Sequence, residues 1–332
     1  MGNLKVTSMN RRAFLFASAA GALATAGASS EGVSAALAKE AMKDYKNAAW
    51  YRFKIGDMEA TVVSDGFLGP LPLNALYPKT PKEELDALAS GEFLAPDKFV
   101  IQENCLVLNT GDKLTLIDTG SGANGAAFGP GSGRLAKNLE AAGFKAEDFD
   151  AIVLTHAHSD HLSGIMGEGG KRLFPNAQVM LSKADFDFWT DEAKLSAPGM
   201  MKMFIESARA NLLPNKDRMV FVEDGKEVVK GVQAISSPGH TPGHTSYMLT
   251  SAGKSLLLTG DIAHTFVQFK HPEWPLVFDV DPAAGSATRK RVMDMAATEN
   301  VSVIVYHLPF PGIGHVAREG DAFRFVQSPM EI

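Results

Sequence analysis

The chain has 332 residues, 45% hydrophobic and 21% charged, with a formal net charge of −6 at neutral pH. That composition excludes a disordered or fibrous chain, and the acidic balance excludes a nucleic-acid binder held by phosphate contacts. A chain this long buries a core without staples, and its single cysteine, Cys105, forms no disulfide within the chain.

The predicted elements begin with an export segment. Asn10-Arg11-Arg12-Ala13-Phe14-Leu15 opens a run of small and apolar residues reaching Ser29. A paired arginine ahead of a weakly hydrophobic, alanine- and glycine-rich stretch reads as a twin-arginine signal, the route that carries folded proteins. Ala36-Leu37-Ala38 fits the cleavage site, giving a signal over 1–38 and a mature start at Lys39, with earlier small-residue sites near Ala24–Ala28 left open. The expected location is periplasmic or secreted, and the expected partner of the precursor is the twin-arginine export machinery. The alternative, an uncleaved anchor, suits the stretch poorly because it is short and poor in leucine.

From 39 to 332 no linker divides the chain and no fixed-period repeat occurs, so one domain is expected. Strands are predicted at 60–66, 105–109 and 113–118, the last two joined by Thr110-Gly111-Asp112. Further strands are predicted at 151–154, 178–181, 220–222, 232–236, 246–249, 255–258 and 301–306. Helices are predicted at 81–90, 134–142, 184–191, 200–211 and 283–297, and the glycine-rich segment 120–133 as a loop. Cys105 falls inside the apolar run Cys105-Leu106-Val107-Leu108, where a buried strand residue is the plainer reading. Apolar strands interspersed with helices predict an α/β sandwich, two sheets packed together with helices outside. His156, His240, Asp261 and His307 each follow an apolar strand, and strand ends sharing one edge are where such folds build sites.

The densest chemical signal is Thr155-His156-Ala157-His158-Ser159-Asp160-His161. In a loop or first helical turn this spacing aims His156 and His158 at one metal, and Asp160 and His161 at a second. Neutral imidazole with carboxylate suits a borderline divalent ion such as zinc. The alternative is a solvated polar turn, which does not require the full spacing.

His-x-His-x-Asp-His after a strand resembles the signature of the metallo-β-lactamase superfamily, whose fold is an αββα sandwich. Pro238-Gly239-His240-Thr241-Pro242-Gly243-His244 resembles the segment giving the first metal its third histidine. The resemblance assigns that role to His240 and leaves His244 as a histidine that supports ligands without binding metal. Leu258-Thr259-Gly260-Asp261 resembles the strand end whose aspartate bridges both metals, and Tyr306-His307 resembles the last ligand. Ile117-Asp118-Thr119-Gly120 resembles the short motif whose aspartate orients ligands through hydrogen bonds. Val267-Gln268-Phe269, Phe310-Pro311-Gly312-Ile313-Gly314-His315, Phe323-Arg324-Phe325, Phe128-Gly129-Pro130 and Ala184-Asp185-Phe186 further resemble the methyl parathion hydrolase group. Members of that group are dimeric dizinc enzymes that hydrolyse organophosphate triesters, with relatives that open lactones, including acyl-homoserine lactones.

The resemblance therefore implies a homodimer with two divalent ions, zinc by expectation, acting on a small-molecule phosphotriester, lactone or ester. Two ions about 3.5–4 Å apart share a hydroxide of near-neutral pKa that attacks phosphorus or carbonyl carbon. Asp160 is placed to hold the proton returned to the leaving group. Phe128, Trp189 and Phe204 resemble an aromatic pocket wall, with ordinary core packing the competing reading for the last two. His264 either lines the pocket or caps a loop, while His271 and His315 read as structural or exposed. Asp261 at the bridging position departs from true β-lactamases, and His158 departs from the oxygen-reducing diiron relatives. The rival readings are a thioesterase of the glyoxalase II type or weak β-lactamase, and a non-catalytic metal binder. The complete ligand set disfavours the non-catalytic binder, and the scarcity of cations among the expected pocket residues disfavours a glutathione thioester.

Overall fold

Alternation along the central strands sets the architecture, because successive side chains face opposite sides of a sheet. The computed structural model describes residues 47–330. The predicted signal over 1–38, with Arg11, Arg12 and the cleavage motif, and the mature start at Lys39 lie outside the described residues. In chain order the described elements are β1 (Trp50–Ile55), β2 (Met58–Leu71), α1 (Leu73–Leu76), α2 (Lys82–Gly91), β3 (Phe99–Asn109), β4 (Leu114–Ile117), α3 (Leu135–Ala141), β5 (Ala151–Val153) and α4 (Ser159–Leu162). There follow β6 (Gln178–Ser182), α5 (Lys183–Thr190), α6 (Gly199–Leu212), β7 (Met219–Val222), β8 (Glu227–Val229), β9 (Val232–Ser236), β10 (Thr245–Ser251) and β11 (Lys254–Leu258). The chain closes with α7 (Phe266–Lys270), α8 (Pro282–Glu299), β12 (Ser302–Ile304), β13 (Ile313–Glu319) and β14 (Ala322–Gln327).

Among the described residues these strands form two seven-stranded sheets, in the orders β1-β2-β3-β4-β5-β6-β7 and β14-β13-β12-β11-β10-β9-β8. Both are mixed: β4 to β7 pair in parallel in the first sheet, and β11 with β12 in the second. Leu106, Leu108, Ile117, Ala151 and Val153 of the first sheet meet Val232, Ala234, Tyr247, Leu249, Leu258 and Ile304 of the second in a dry middle layer. The intervening residues Cys105, Val107, Leu116 and Ile152 face outward onto α3, α5 and α6. Leu257, Val303 and Val316 face outward onto Val292, Met293 and Ala296 of α8. The result is the expected αββα sandwich, with Cys105 buried on β3.

Local chemistry explains the element ends. The hydroxyl of Ser182 accepts the N–H of Asp185 and opens α5. Asp281 accepts the N–H of Ala284 ahead of Pro282, and α8 ends at Asn300 in the left-handed region, φ 49°. Several predicted bounds are corrected. The strand expected at 60–66 runs Met58–Leu71, bent by register shifts at Ser64/Gly66 and Leu68/Leu71. The strand expected at 301–306 is only Ser302–Ile304, so the chain has left the sheet when it reaches His307. The strands β1, β8, β13 and β14 were not anticipated. Most of their outward residues are exposed or half-exposed, and Gly314 interrupts β13, so their apolar alternation is weak.

Candidate metal centre

Five segments deliver the site. Past β5, Thr155 and His156 are buried, His158 precedes α4 in extended conformation, and Asp160 and His161 lie inside that single turn. His240 arrives four residues after β9, Asp261 three after β11, and His307 three after β12. Asp118 follows β4 with φ 60°, a conformation aspartate tolerates better than most residues. Gly260 is required ahead of Asp261: with φ 57°, a side chain there would lie 2.6 Å from His244 Nε2.

These segments bring all seven predicted ligands together. Nδ1 of His158 and Nε2 of His240 stand 2.9 Å apart, and with His156 they form one converging group. Asp160, His161 and His307 form another, with Asp160 Oδ2 at 3.6 Å from His161 Nε2 and 3.4 Å from His307 Nε2. Asp261 faces both groups. Its Oδ2 lies 3.3 Å from His240 Nε2, 3.7 Å from His156 Nε2 and 3.2 Å from His307 Nε2, and its Oδ1 lies 3.3 Å from His161 Nε2.

The far sides of His156, His161, His240 and His307 are held by hydrogen bonds that fix ring orientation. Asp118 Oδ2 bonds His161 Nδ1 at 2.9 Å and accepts the Thr155 hydroxyl, which bonds His156 Nδ1 at 3.0 Å. His307 Nδ1 donates to the Gln102 carbonyl at 2.7 Å. His244 takes the supporting part expected of it: its Nε2 accepts the N–H of Asp261 at 2.9 Å, and its Nδ1 lies 3.1 Å from the Ser237 carbonyl. Sequence reasoning missed Asp279, whose Oδ1 bonds His240 Nδ1 at 3.0 Å and whose Oδ2 meets Arg289. Thirty-nine residues separate Asp279 from His240, and no local motif marks it.

The donor set fits divalent metal. Nε2 of His156, Nε2 of His161 and Oδ1 of Asp261 are buried without hydrogen-bond partners, a costly state unless a cation sits among them. Without one, the charges of the cluster pull against burial. Burial pushes His156 and His158 well below the usual imidazole range. Burial acts on His161 too, but Asp261, Asp118 and Asp160 outweigh it and raise that ring well above the range. His240 is likewise opposed by burial and raised to about 9 by Asp261 and Asp279. Asp261 would be lifted by burial, yet His161, His307, His264 and His156 hold it well below the carboxylate range. His271 stacks on Trp274, and His315 sits on β13 beside Ser302; neither belongs to the clusters found among the described residues.

Residues 99–307 match the family described as the metallo-beta-lactamase superfamily. The chain belongs to the metallo-β-lactamase superfamily. An N-acyl homoserine lactonase of Bacillus sp. is 29% identical over 221 residues, which cover 61% of this chain and 80% of the relative. A Bacillus thuringiensis N-acyl homoserine lactonase is 27% identical over 241 residues, 67% of this chain and 88% of the relative. Among solved structures, AidC, a dizinc quorum-quenching lactonase in complex with the product N-hexanoyl-L-homoserine, is 28% identical with a TM-score of 0.80. The hydrolase AbOPH is 30% identical with a TM-score of 0.79. Each alignment covers 86% of this chain and all of the solved one. The chain is thus a metal-dependent hydrolase of the metallo-β-lactamase superfamily, of the lactonase and organophosphate hydrolase group.

In this superfamily member, the expected pocket residues separate. A chamber of about 340 Å³ opens beside His264 and His307, walled by Phe99, Phe266, Phe269, Leu308, Phe323 and Phe325; Lys98, Lys270 and Arg324 also line it, so the expected scarcity of cations does not hold there. Of the four residues expected to line the pocket, only His264 belongs to this chamber. Its Nε2 lies 2.9 Å from Asp261 Oδ2 and its ring stacks on His307, while burial lowers it to about 4. Phe128 follows the 3-10 turn Gly122–Ala127, half-buried, and its carbonyl accepts the N–H of Gly69. Trp189 is fully buried in the helix layer, its indole edge-on to the His158 ring at 4.9 Å, and Phe204 lies 4.5 Å from that same ring. Both aromatics thus back a ligand from the core side. Trp189→Ala is expected to cost roughly 3–5 kcal/mol of stability and to slow large and small substrates alike. A stable variant whose loss is confined to bulky substrates would instead place Trp189 in the substrate pocket.

Proposed function

We propose that the protein is a dizinc hydrolase of lactones and related esters, with N-acyl homoserine lactones the leading substrate class. The observation that carries this reading is the mainly apolar chamber lined by His264 and His307, whose Nε2 atoms lie 2.9 and 3.2 Å from Asp261 Oδ2. An acyl chain held there leaves its carbonyl at the ligand cluster. The volume sits at the lower end of small-molecule pockets, which suits a chain of modest length. The lactonase relatives and AidC, with its N-hexanoyl-L-homoserine product, support the same class.

Ions held by the two groups supply carbonyl polarisation and a water of lowered pKa. The chain's own groups do the rest. Asp261 keeps the two groups together, and Asp118, Asp279 and Gln102 fix the rings that face it. The apolar wall excludes bulk water and orients the ester. Water oxygen adds to the carbonyl carbon, the ring C–O bond breaks, and the leaving alkoxide takes a proton to give a hydroxy acid. Asp160 carries that proton. Its side chain is 11% exposed where those of Asp261 and His161 are 2% and 0%, so it is the carboxylate that reaches the open side of the cluster.

Aryl phosphotriesters form a second class, favoured by the sequence strings shared with the methyl parathion hydrolase group. One zinc-loaded preparation should be assayed on N-hexanoyl homoserine lactone, paraoxon, methyl parathion, a short aryl ester and nitrocefin. The lactone is expected to give the highest kcat/KM by about tenfold or more, one decade corresponding to 1.36 kcal/mol of transition-state binding. A phosphotriester turned over faster than every lactone would reverse the order of the two classes, and activity on nitrocefin alone would overturn both.

A further inference from the structure

The three histidines of one metal group arrive on two loops from different sheets, and a single buried carboxylate holds both loops. His156 and His158 flank Ala157 after β5, while His240 precedes Thr241-Pro242-Gly243 after β9. Asp185, in the first turn of α5, is fully buried. Its Oδ2 accepts the N–H of Ala157 at 2.9 Å and the hydroxyl of Thr241 at 3.0 Å; its Oδ1 accepts the N–H of Gly243 at 2.6 Å. The contact leaves no room for a side chain at position 243, where a Cβ would lie 2.0 Å from Ser182 Oγ and 2.5 Å from the Asp185 nitrogen. The second loop therefore seats directly on the start of α5, whose own N–H at Asp185 is taken by Ser182.

We propose that Asp185 is the positioning residue of the three-histidine metal site, clamping the Ala157 and Thr241–Gly243 backbones at the separation that lets His156, His158 and His240 converge. An aspartate serving only its own helix would accept N–H groups of the first turn, whereas all three donors to Asp185 lie on the ligand loops. Burial raises its carboxyl to about 6, with the three donors and His240 opposing, so it is an anion at neutral pH and stands behind three ligands that carry none. The placement of Ala157 between two ligands means that one hydrogen bond fixes the backbone under both His156 and His158. This inference rests on the reading of these histidines as metal ligands and on no particular substrate.

The test is Asp185→Asn, which keeps the shape but turns an amide N–H₂ toward the N–H of either Ala157 or Gly243. In the holoenzyme, chelator competition should show zinc affinity at the three-histidine site falling about 10- to 100-fold. Affinity at the site of Asp160, His161 and His307 should hold within about twofold by the same account. In the dicobalt enzyme one of the two visible spectra should change. Thr241→Val removes only the hydroxyl bond and should shift the same site in the same direction by a smaller factor, which keeps the test open if Asp185→Asn fails to fold. Wild-type zinc affinity at both sites in either folded variant, with only the melting temperature lowered, overturns the proposal and leaves Asp185 a packing residue. These readouts use no substrate. Wild-type protein that binds two zinc ions, one of them weakened by Asp185→Asn, yet opens no lactone sinks the substrate reading alone, whereas wild-type protein that binds no zinc sinks the metal reading on which both stand.

Discussion

Replacing Asp261 by alanine is expected to lower turnover about a thousandfold and to leave fewer than two metal ions per chain. The magnitude follows from losing one fixed anion that both metal groups share, worth several kcal/mol of transition-state stabilisation at one decade per 1.36 kcal/mol. The geometry makes this residue different from the other six, because its carboxylate faces His240, His156 and His307 through one oxygen and His161 through the other. Without it, His156, His161, His240 and His307 lose the carboxylate they all face, and two cations held there repel each other with Asp160 the only carboxylate left among the ligands. The backbone is not expected to move much, since the N–H of Asp261 stays bonded to His244 and Gly260 keeps its turn. His315→Ala is the control: that ring lies on β13 beside Ser302 and should leave both ions in place. Elemental analysis together with steady-state rates decides the matter, and two metals with near wild-type turnover in Asp261→Ala would falsify the shared-ligand role.

The ligands were legible in the sequence because their geometry is local. Four of them fall within six residues after an apolar strand, and the other three each follow a further strand, so covalent spacing and strand order dictate where they meet. His264 was legible to the same extent, three residues beyond Asp261. The groups that hold the ligands were legible only where a short motif contained them, as with Asp118. Asp185 and Asp279 lie 28 and 39 residues from the segments they bind, and pairing across that distance is decided by how α5 packs and by where the chain turns ahead of α8. The aromatic residues show the same limit. Trp189 and Phe204 sit on α5 and α6 at positions that serve equally for a pocket wall or for packing, and the crossing of the two helices turns them inward. The chamber wall comes instead from Phe99, α7 and the β13–β14 hairpin side, of which Phe323-Arg324-Phe325 stood out as a family string but not as a strand.

Stripping the metals is expected to lower the melting temperature by roughly 10–20 °C as well as to abolish activity. Ions present at a hundred times their dissociation constants stabilise the fold by about 2.7 kcal/mol per site, and a domain of this size loses roughly 2–4 °C for each kcal/mol. The stripped protein should also show a pH dependence that the loaded one lacks, with its sign set by the histidines. His240 is raised to about 9 and His161 well above the imidazole range, so each contributes stability that is complete below the unfolded value of 6.5 and lost as pH rises through its folded value. His156, His158, His244 and His264 are lowered, the last two to about 3 and about 4, so the unfolded chain binds their protons more readily and stability falls as pH drops below 6.5. Asp185 and Asp65, raised to about 6 by burial, stop contributing before that value is reached from below, so they do not disturb the window above it. The stripped protein should therefore lose stability from pH 6.5 toward pH 9, where the loaded enzyme, its histidines neutral and engaged, gains metal affinity instead. Calorimetric melts with and without chelator at pH 6.5 and 9 measure the difference. A gap that fails to widen toward pH 9 means that charge on His240 and His161 does not hold the empty cluster together, and a gap of zero at both pH values means that no metal stabilises this fold.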